Sequence, residues 1–135
     1  MGFLTILARS AASLALTLGG GGHASRQPAA AAALPDTGQI TVQMINAGRG
    51  IFHNQGGCFV CHGANLQGSP VAPPLDKEGK PWMAAKGGTF PQIFYVVTHG
   101  VPGTVMVSHP NGINDELATE VAAYIWAVNH RGVKP

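Results

Sequence analysis

Apolar positions recur with helical spacing in three stretches of the chain. Between Thr41 and His53, Met44, Gly48 and Phe52 fall at i, i+4 and i+8, with Ile45 and Ile51 beside that stripe. This predicts an amphipathic helix. A glycine inside a helix costs about 1 kcal/mol against alanine, so Gly48 on the apolar face marks a place where another backbone or ring comes close. Asn54-Gln55-Gly56-Gly57 then stops the helix. From Pro91 to Gly100 a second helix is expected: proline suits a first turn, Ile93, Phe94 and Val97 supply an apolar face, and Gly100 stands where the helix stops. The third is the most regular. Asn114 can cap it, Asp115 and Glu116 complement its N-terminal dipole, and Leu117, Val121, Ile125 and Val128 form a stripe flanked by Tyr124. Arg131 and Gly132 close it.

Between these helices the pattern is lost. Gly63 to Gly88 and Val101 to Asn111 are rich in glycine and proline and have no sustained period. Irregular segments of that length are uncommon in compact domains unless they carry function. Upstream, Met1 to Ala24 reads as a secretory leader, with Arg9, the run from Ala11 to Leu18 and small residues through Ala24. No stretch of it approaches the roughly 20 apolar residues of a spanning helix, and it contains no cysteine for lipid attachment. Residues 25–39, with Pro28, an alanine run and Leu34-Pro35, read as a flexible linker. The folded domain is expected over residues 40–135.

Composition narrows the class. The chain has 135 residues, enough for one domain at most, and only 10% are charged, whereas Gly (19) and Pro (10) are abundant. Eight Lys plus Arg against 6 Asp plus Glu leaves little net charge, so nothing points to nucleic acid or a strongly acidic partner. A core this small usually needs a staple.

Cys58-Phe59-Val60-Cys61-His62 supplies one, and it holds both cysteines of the chain. Two thiols three residues apart can each add to a vinyl group of one haem, and the adjacent histidine is then held beneath the iron. Other readings fit less well. A thioredoxin-like pair needs a strand before and a helix after, but glycines flank this motif. A structural zinc site needs two further ligands, and His99 and His109 lie far downstream beyond glycine and proline. A disulfide would close a small strained ring and leave His62 unexplained.

The order Gly48-x-x-x-Phe52, Cys58-x-x-Cys61-His62-Gly63, Val71-Ala72-Pro73-Pro74-Leu75, Trp82, Gly100-Val101-Pro102-Gly103-Thr104-Val105-Met106 and Tyr124-Ile125-Trp126 resembles monohaem class I cytochrome c in its short bacterial form, over about residues 40 to 130. The resemblance implies an all-α cytochrome c fold, three to five helices wrapped around one covalently bound haem c with long irregular loops. It implies that Cys58 and Cys61 are the thioether positions, His62 the proximal ligand and Met106 the distal ligand. Pro73 would offer its carbonyl to the free ring nitrogen of His62, Trp82 would reach a haem propionate, and Gly48, Phe52 and Tyr124 would form the crossing of the first and last helices. In two respects the chain departs from the family pattern: Val107 follows Met106 where proline is frequent, and the stretch from Phe52 to Cys58 is longer than expected.

Among the other methionines, Met44 belongs to the first helical stripe and Met83 lies close behind the haem motif, whereas Met106 has chain enough to cross to the other face. His99 and His109 are its rivals. With His62 and Met106 on the iron no position is open to substrate, so the expected function is single-electron transfer rather than enzymatic catalysis. Expected partners are redox proteins such as a dehydrogenase, a respiratory or photosynthetic complex or an oxidase, met in the periplasm through a small contact. Two other functions are compatible with the sequence. One is the haem subunit of a larger dehydrogenase or respiratory complex at the membrane periphery, suggested by the apolar, nearly uncharged tail Ala123 to Val133 and by the Ala/Pro tether of residues 25–39. The other is a haem peroxidase or gas sensor with a labile distal ligand.

Overall fold

A computed structural model of the chain describes residues 33–76 and 88–135. Among them are four α-helices and no strand: α1 (Val42–His53), α2 (Phe59–His62), α3 (Phe90–His99) and α4 (Asp115–His130), with 3-10 turns at Thr37–Gln39 and Pro110–Gly112. None of the described helices is long and apolar enough to cross a membrane. The secondary-structure boundaries follow from local chemistry. Thr41 caps α1 by accepting a bond from the Met44 amide at 3.2 Å, and Asn114 caps α4 by accepting from the Leu117 amide at 2.9 Å. Pro91 lies in the first turn of α3, and Gly100 ends it at φ 70°.

Helix α4 packs against both α1 and α3 and is the centre of the domain. Ala118, Val121, Ala122, Ala123, Tyr124, Ile125, Ala127 and Val128 are all buried in it. The buried face is therefore wider than the stripe read from the sequence, and Leu117 is only partly buried. The small alanines between the larger residues are what let two helices approach one axis. The apolar tail from Ala123 onward is thus largely consumed by the domain's own core.

At the α1–α4 crossing, Gly48 touches the partner backbone. A Cβ there would run into the Glu120 carbonyl and lie 2.9 Å from Tyr124 Cβ. Phe52 and Tyr124, both fully buried, meet edge to face with ring centroids 5.6 Å apart. Two further ties close the domain. Arg131 donates to the carbonyls of Ile40 and Thr37, each at 2.7 Å, joining the end of α4 to the chain entering α1. The buried Asn129 amide donates to the Leu75 carbonyl at 2.7 Å and to Ile125 at 2.8 Å. That bond anchors the irregular segment after α2 against α4.

Candidate functional site

Helix α2 is a single turn, and it lies inside the cysteine motif. The Cys58 carbonyl accepts from the His62 amide at 2.9 Å and the Phe59 carbonyl from Gly63 at 2.9 Å. Residues three and four apart share a helix face, so Cys58, Cys61 and His62 are brought together on one side. Both cysteines are free thiols and half-buried. Gly63, at φ 79°, then turns the chain back, and the Gly68 amide closes the loop onto the His62 carbonyl at 2.8 Å.

The return leg brings Pro73 to the histidine. The His62 Nδ1–H donates to the Pro73 carbonyl at 3.0 Å. That bond fixes the tautomer and leaves the Nε2 lone pair free to bind a metal. Burial pushes the His62 pKa below its ordinary value, partly offset by the same Pro73 bond, which favours the charged ring. Burial likewise pushes the Cys58 thiol up to about 11, opposed by its backbone hydrogen bond and reinforced by the neighbouring Cys61. Before attachment, then, Cys58 is a protonated thiol in an apolar wall.

Met106 arrives from the loop after α3. The Val101 amide donates to the Met106 carbonyl at 2.8 Å, Thr104 Oγ1–H donates to the Val101 carbonyl at 2.8 Å, and the Met106 amide donates to Thr104 Oγ1 at 3.1 Å. Residues 101–106 therefore form a small loop held by its own bonds. Gly100 makes room for it: a Cβ there would lie 2.5 Å from the Met106 carbonyl oxygen and 2.8 Å from the Ser108 nitrogen.

These elements enclose one cavity of about 510 Å³, within the range usual for cofactor pockets. Cys58, Cys61, His62, Pro73 and Met106 all line it, together with Val60, Val71, Ala72, Val96, Val101, Val105 and Val107. His62 and Met106 also share the wall of a second, much smaller void of about 30 Å³ bounded by Phe52, Ile93, Val121 and Ile125. The rival ligands lie elsewhere. His99 stacks on Tyr95 with ring centroids 4.0 Å apart, and His109 Nε2 bonds Asp115 Oδ1 at 2.8 Å. Neither lines the cavity. Among the described residues no cluster of three or more His, Cys, Asp and Glu side chains could hold a metal ion, so no finger-like site forms around the cysteines. Trp82 and Met83 lie outside the described residues.

Sequence reasoning missed Asn111, which also lines the cavity and whose amide donates to the Gly56 carbonyl at 2.9 Å. Asn111-Gly112 reads locally as turn chemistry, and nothing nearby in sequence signals a partner 55 residues away.

Two thiols, a neutral imidazole with one nitrogen held by a carbonyl and a thioether around an apolar cavity define a c-type haem site in an all-α domain. The family model for cytochrome c matches residues 45–129, well over half of the chain, and the chain belongs to that family. It is a c-type cytochrome of electron transfer and carries covalent haem c, with Cys58 and Cys61 in the attachment motif. Searches of curated proteins and of solved structures return no match.

Proposed function

We propose that the protein is an exported monohaem carrier that passes single electrons between redox proteins of the periplasm, with His62 and Met106 as the two axial ligands. The observation that carries this reading is the convergence of His62 and Met106 on the same cavity and the same small void, with His99 and His109 engaged elsewhere. The bound haem iron supplies a one-electron change between its ferric and ferrous states. The chain's own residues do the rest. Cys58 and Cys61 anchor the group, and the Pro73 carbonyl orients the His62 ring. The Met106 thioether, a soft ligand, favours the reduced metal and raises the potential.

The cavity's mouth supports a small apolar contact with partners. Val60, Val71, Val105 and Val107, each 59–71% exposed, line the cavity, and no charged side chain among the described residues does so. Exposed apolar side chains gathered in one patch mark interaction sites. Contact through them is weakly dependent on salt, because there is little charge to screen. Export rests on the leader-like residues 1–24, and cytochrome c domains of this kind are commonly exported. Of the two features that suggest a permanent subunit role, the apolar tail is packed into the domain's own core, which leaves the Ala/Pro tether as its motive.

Absorption spectra of the exported holoprotein and of Met106→Ala, each with and without carbon monoxide, test the reading. The parent is expected to show a sharp low-spin reduced spectrum unchanged by the gas and a weak far-red ferric band from sulfur ligation. Met106→Ala should lose that band and bind the gas. A parent whose reduced spectrum shifts on adding carbon monoxide would instead identify an open iron, and the peroxidase or sensor function would replace electron transfer.

A further inference from the structure

The loop bearing Met106 is rigid within itself, so its position depends on what fastens it to the rest of the domain. Two of its fastenings lead back to the helices on either side of it. The His109 amide donates to the Val97 carbonyl in α3 at 2.9 Å, and the His109 ring bonds Asp115 at the start of α4. The second of these is an exposed pair, and such pairs contribute little. A third fastening crosses the cavity's edge. Asn111 Nδ2–H donates to the carbonyl of Gly56, in the turn that leads directly into Cys58.

Both ends of this bond are built for it. Asn111 sits in the left-handed region, at φ 53° and ψ 25°, which asparagine tolerates better than most residues. Gly57 is also left-handed, at φ 62°, and a Cβ on it would collide with the Asn111 amide nitrogen. Gly56 is buried, and leaving its carbonyl without a donor is unfavourable. The Gly56-Gly57 pair is therefore a seat for the asparagine amide, beyond its role in ending α1.

We propose that Asn111 is a positioning residue: its amide latches the methionine loop to the haem-attachment turn and thereby holds Met106 within reach of the iron. This rests on the axial-ligand reading above. Met106 is followed by Val107, an exposed residue with no fixed backbone angle, so the loop gains no stiffness immediately after the ligand. The latch supplies that restraint five residues later. An exogenous ligand must wait for the loop to open, and its apparent affinity scales with the open fraction. One net hydrogen bond corresponds to roughly a threefold to tenfold change in that fraction.

The test uses covalently loaded holoprotein carrying Asn111→Gly, which keeps the left-handed backbone and removes the amide, and Asn111→Asp, which keeps the shape but cannot donate when ionised. Two quantities are read: the affinity of the ferrous form for carbon monoxide, and the pH at which the ferric far-red sulfur band disappears on raising pH. Both variants are expected to bind the gas about threefold to tenfold more tightly than the parent and to lose the band at lower pH, with haem still covalently attached. Unchanged gas affinity and band in both variants would overturn the latch, as would a lowered melting temperature with both readouts unmoved, which is the mark of a merely structural bond. Failure of the axial-ligand reading shows itself elsewhere, as a far-red band missing from the parent or persisting in Met106→Ala, and it removes the latch as well.

Discussion

At the α1–α4 crossing a missing side chain sets the geometry: Gly48 lets the Glu120 backbone come close, and the fully buried Phe52 and Tyr124 rings seal the contact. Around the haem cavity the chain is largely irregular, and hydrogen bonds from single side chains set the geometry instead. Pro73 accepts from His62, Thr104 braces Met106, and Asn111 reaches Gly56. The crossing derives its strength from buried area, which is non-directional and tolerates no added volume. The cavity loops depend on direction, so a few atoms can move a ligand without disturbing the core. Electron transfer benefits from this division, since the iron's surroundings can be tuned on a scaffold that stays fixed.

The largest effect is expected from cutting the cavity's covalent hold. Cys58→Ala combined with Cys61→Ala should leave all haem extractable by acidified organic solvent, whereas the parent retains it. Persistent covalent haem in the double variant would show that attachment does not run through these thiols. At the crossing, Gly48→Val is expected to destabilise the folded holoprotein by at least about 3 kcal/mol, at or beyond the upper end of ordinary overpacking, because the first added atom already meets the Glu120 carbonyl. Chemical denaturation of the two forms measures it. A loss under about 1 kcal/mol would mean that the helices slide apart easily and that the crossing is no more rigid than the loops.

The smallest effect concerns His62 and is read from pH. Burial holds its pKa below the ordinary value, so the unfolded chain takes up a proton near pH 6.5 while the folded chain resists it. The unfolded state thus binds more protons in that window. Stability therefore falls as pH drops below about 6.5, by no more than about 1.4 kcal/mol per pH unit from this one group. Iron ligation excludes the same proton and acts in the same direction. Denaturant midpoints between pH 8 and pH 5 check the sign, and a midpoint that rises on acidification would contradict a half-buried, neutral imidazole.

Much of the scaffold was legible because its signals are local. Three of the four described helices show a 3.6-residue period or a proper start and stop, and the cap Asn114 acts on an amide three residues away, as does Thr41, whose capping role the pattern did not single out. Helix α2 was not legible, since four residues are too few to carry a period. The segment after it read as irregular, yet Leu66 there is fully buried at φ 59° and its carbonyl accepts from the Leu75 amide at 2.7 Å. At the site, Cys58, Cys61, His62, Pro73 and Met106 stand out by motif and resemblance, and all of them line the cavity. Asn111 does not stand out there, nor does Asn129 in the scaffold, because their partners lie 55 and 54 residues away; Arg131 is legible as a helix end, but its bonds to carbonyls more than 90 residues away are not.

The sequence by itself determined where α1, α3 and α4 start, the chemistry of covalent haem attachment and the need for a close approach at Gly48. Each depends on residue type at a short fixed spacing, which chain geometry converts directly into structure. Only the tertiary structure decided how broadly α4 is buried, that Asn129 ties the Leu75 carbonyl to α4, and which side chain fastens the methionine loop to the attachment turn. These depend on atoms brought together from distant parts of the chain, and a hydrogen bond acts over about 3 Å in space regardless of separation in sequence.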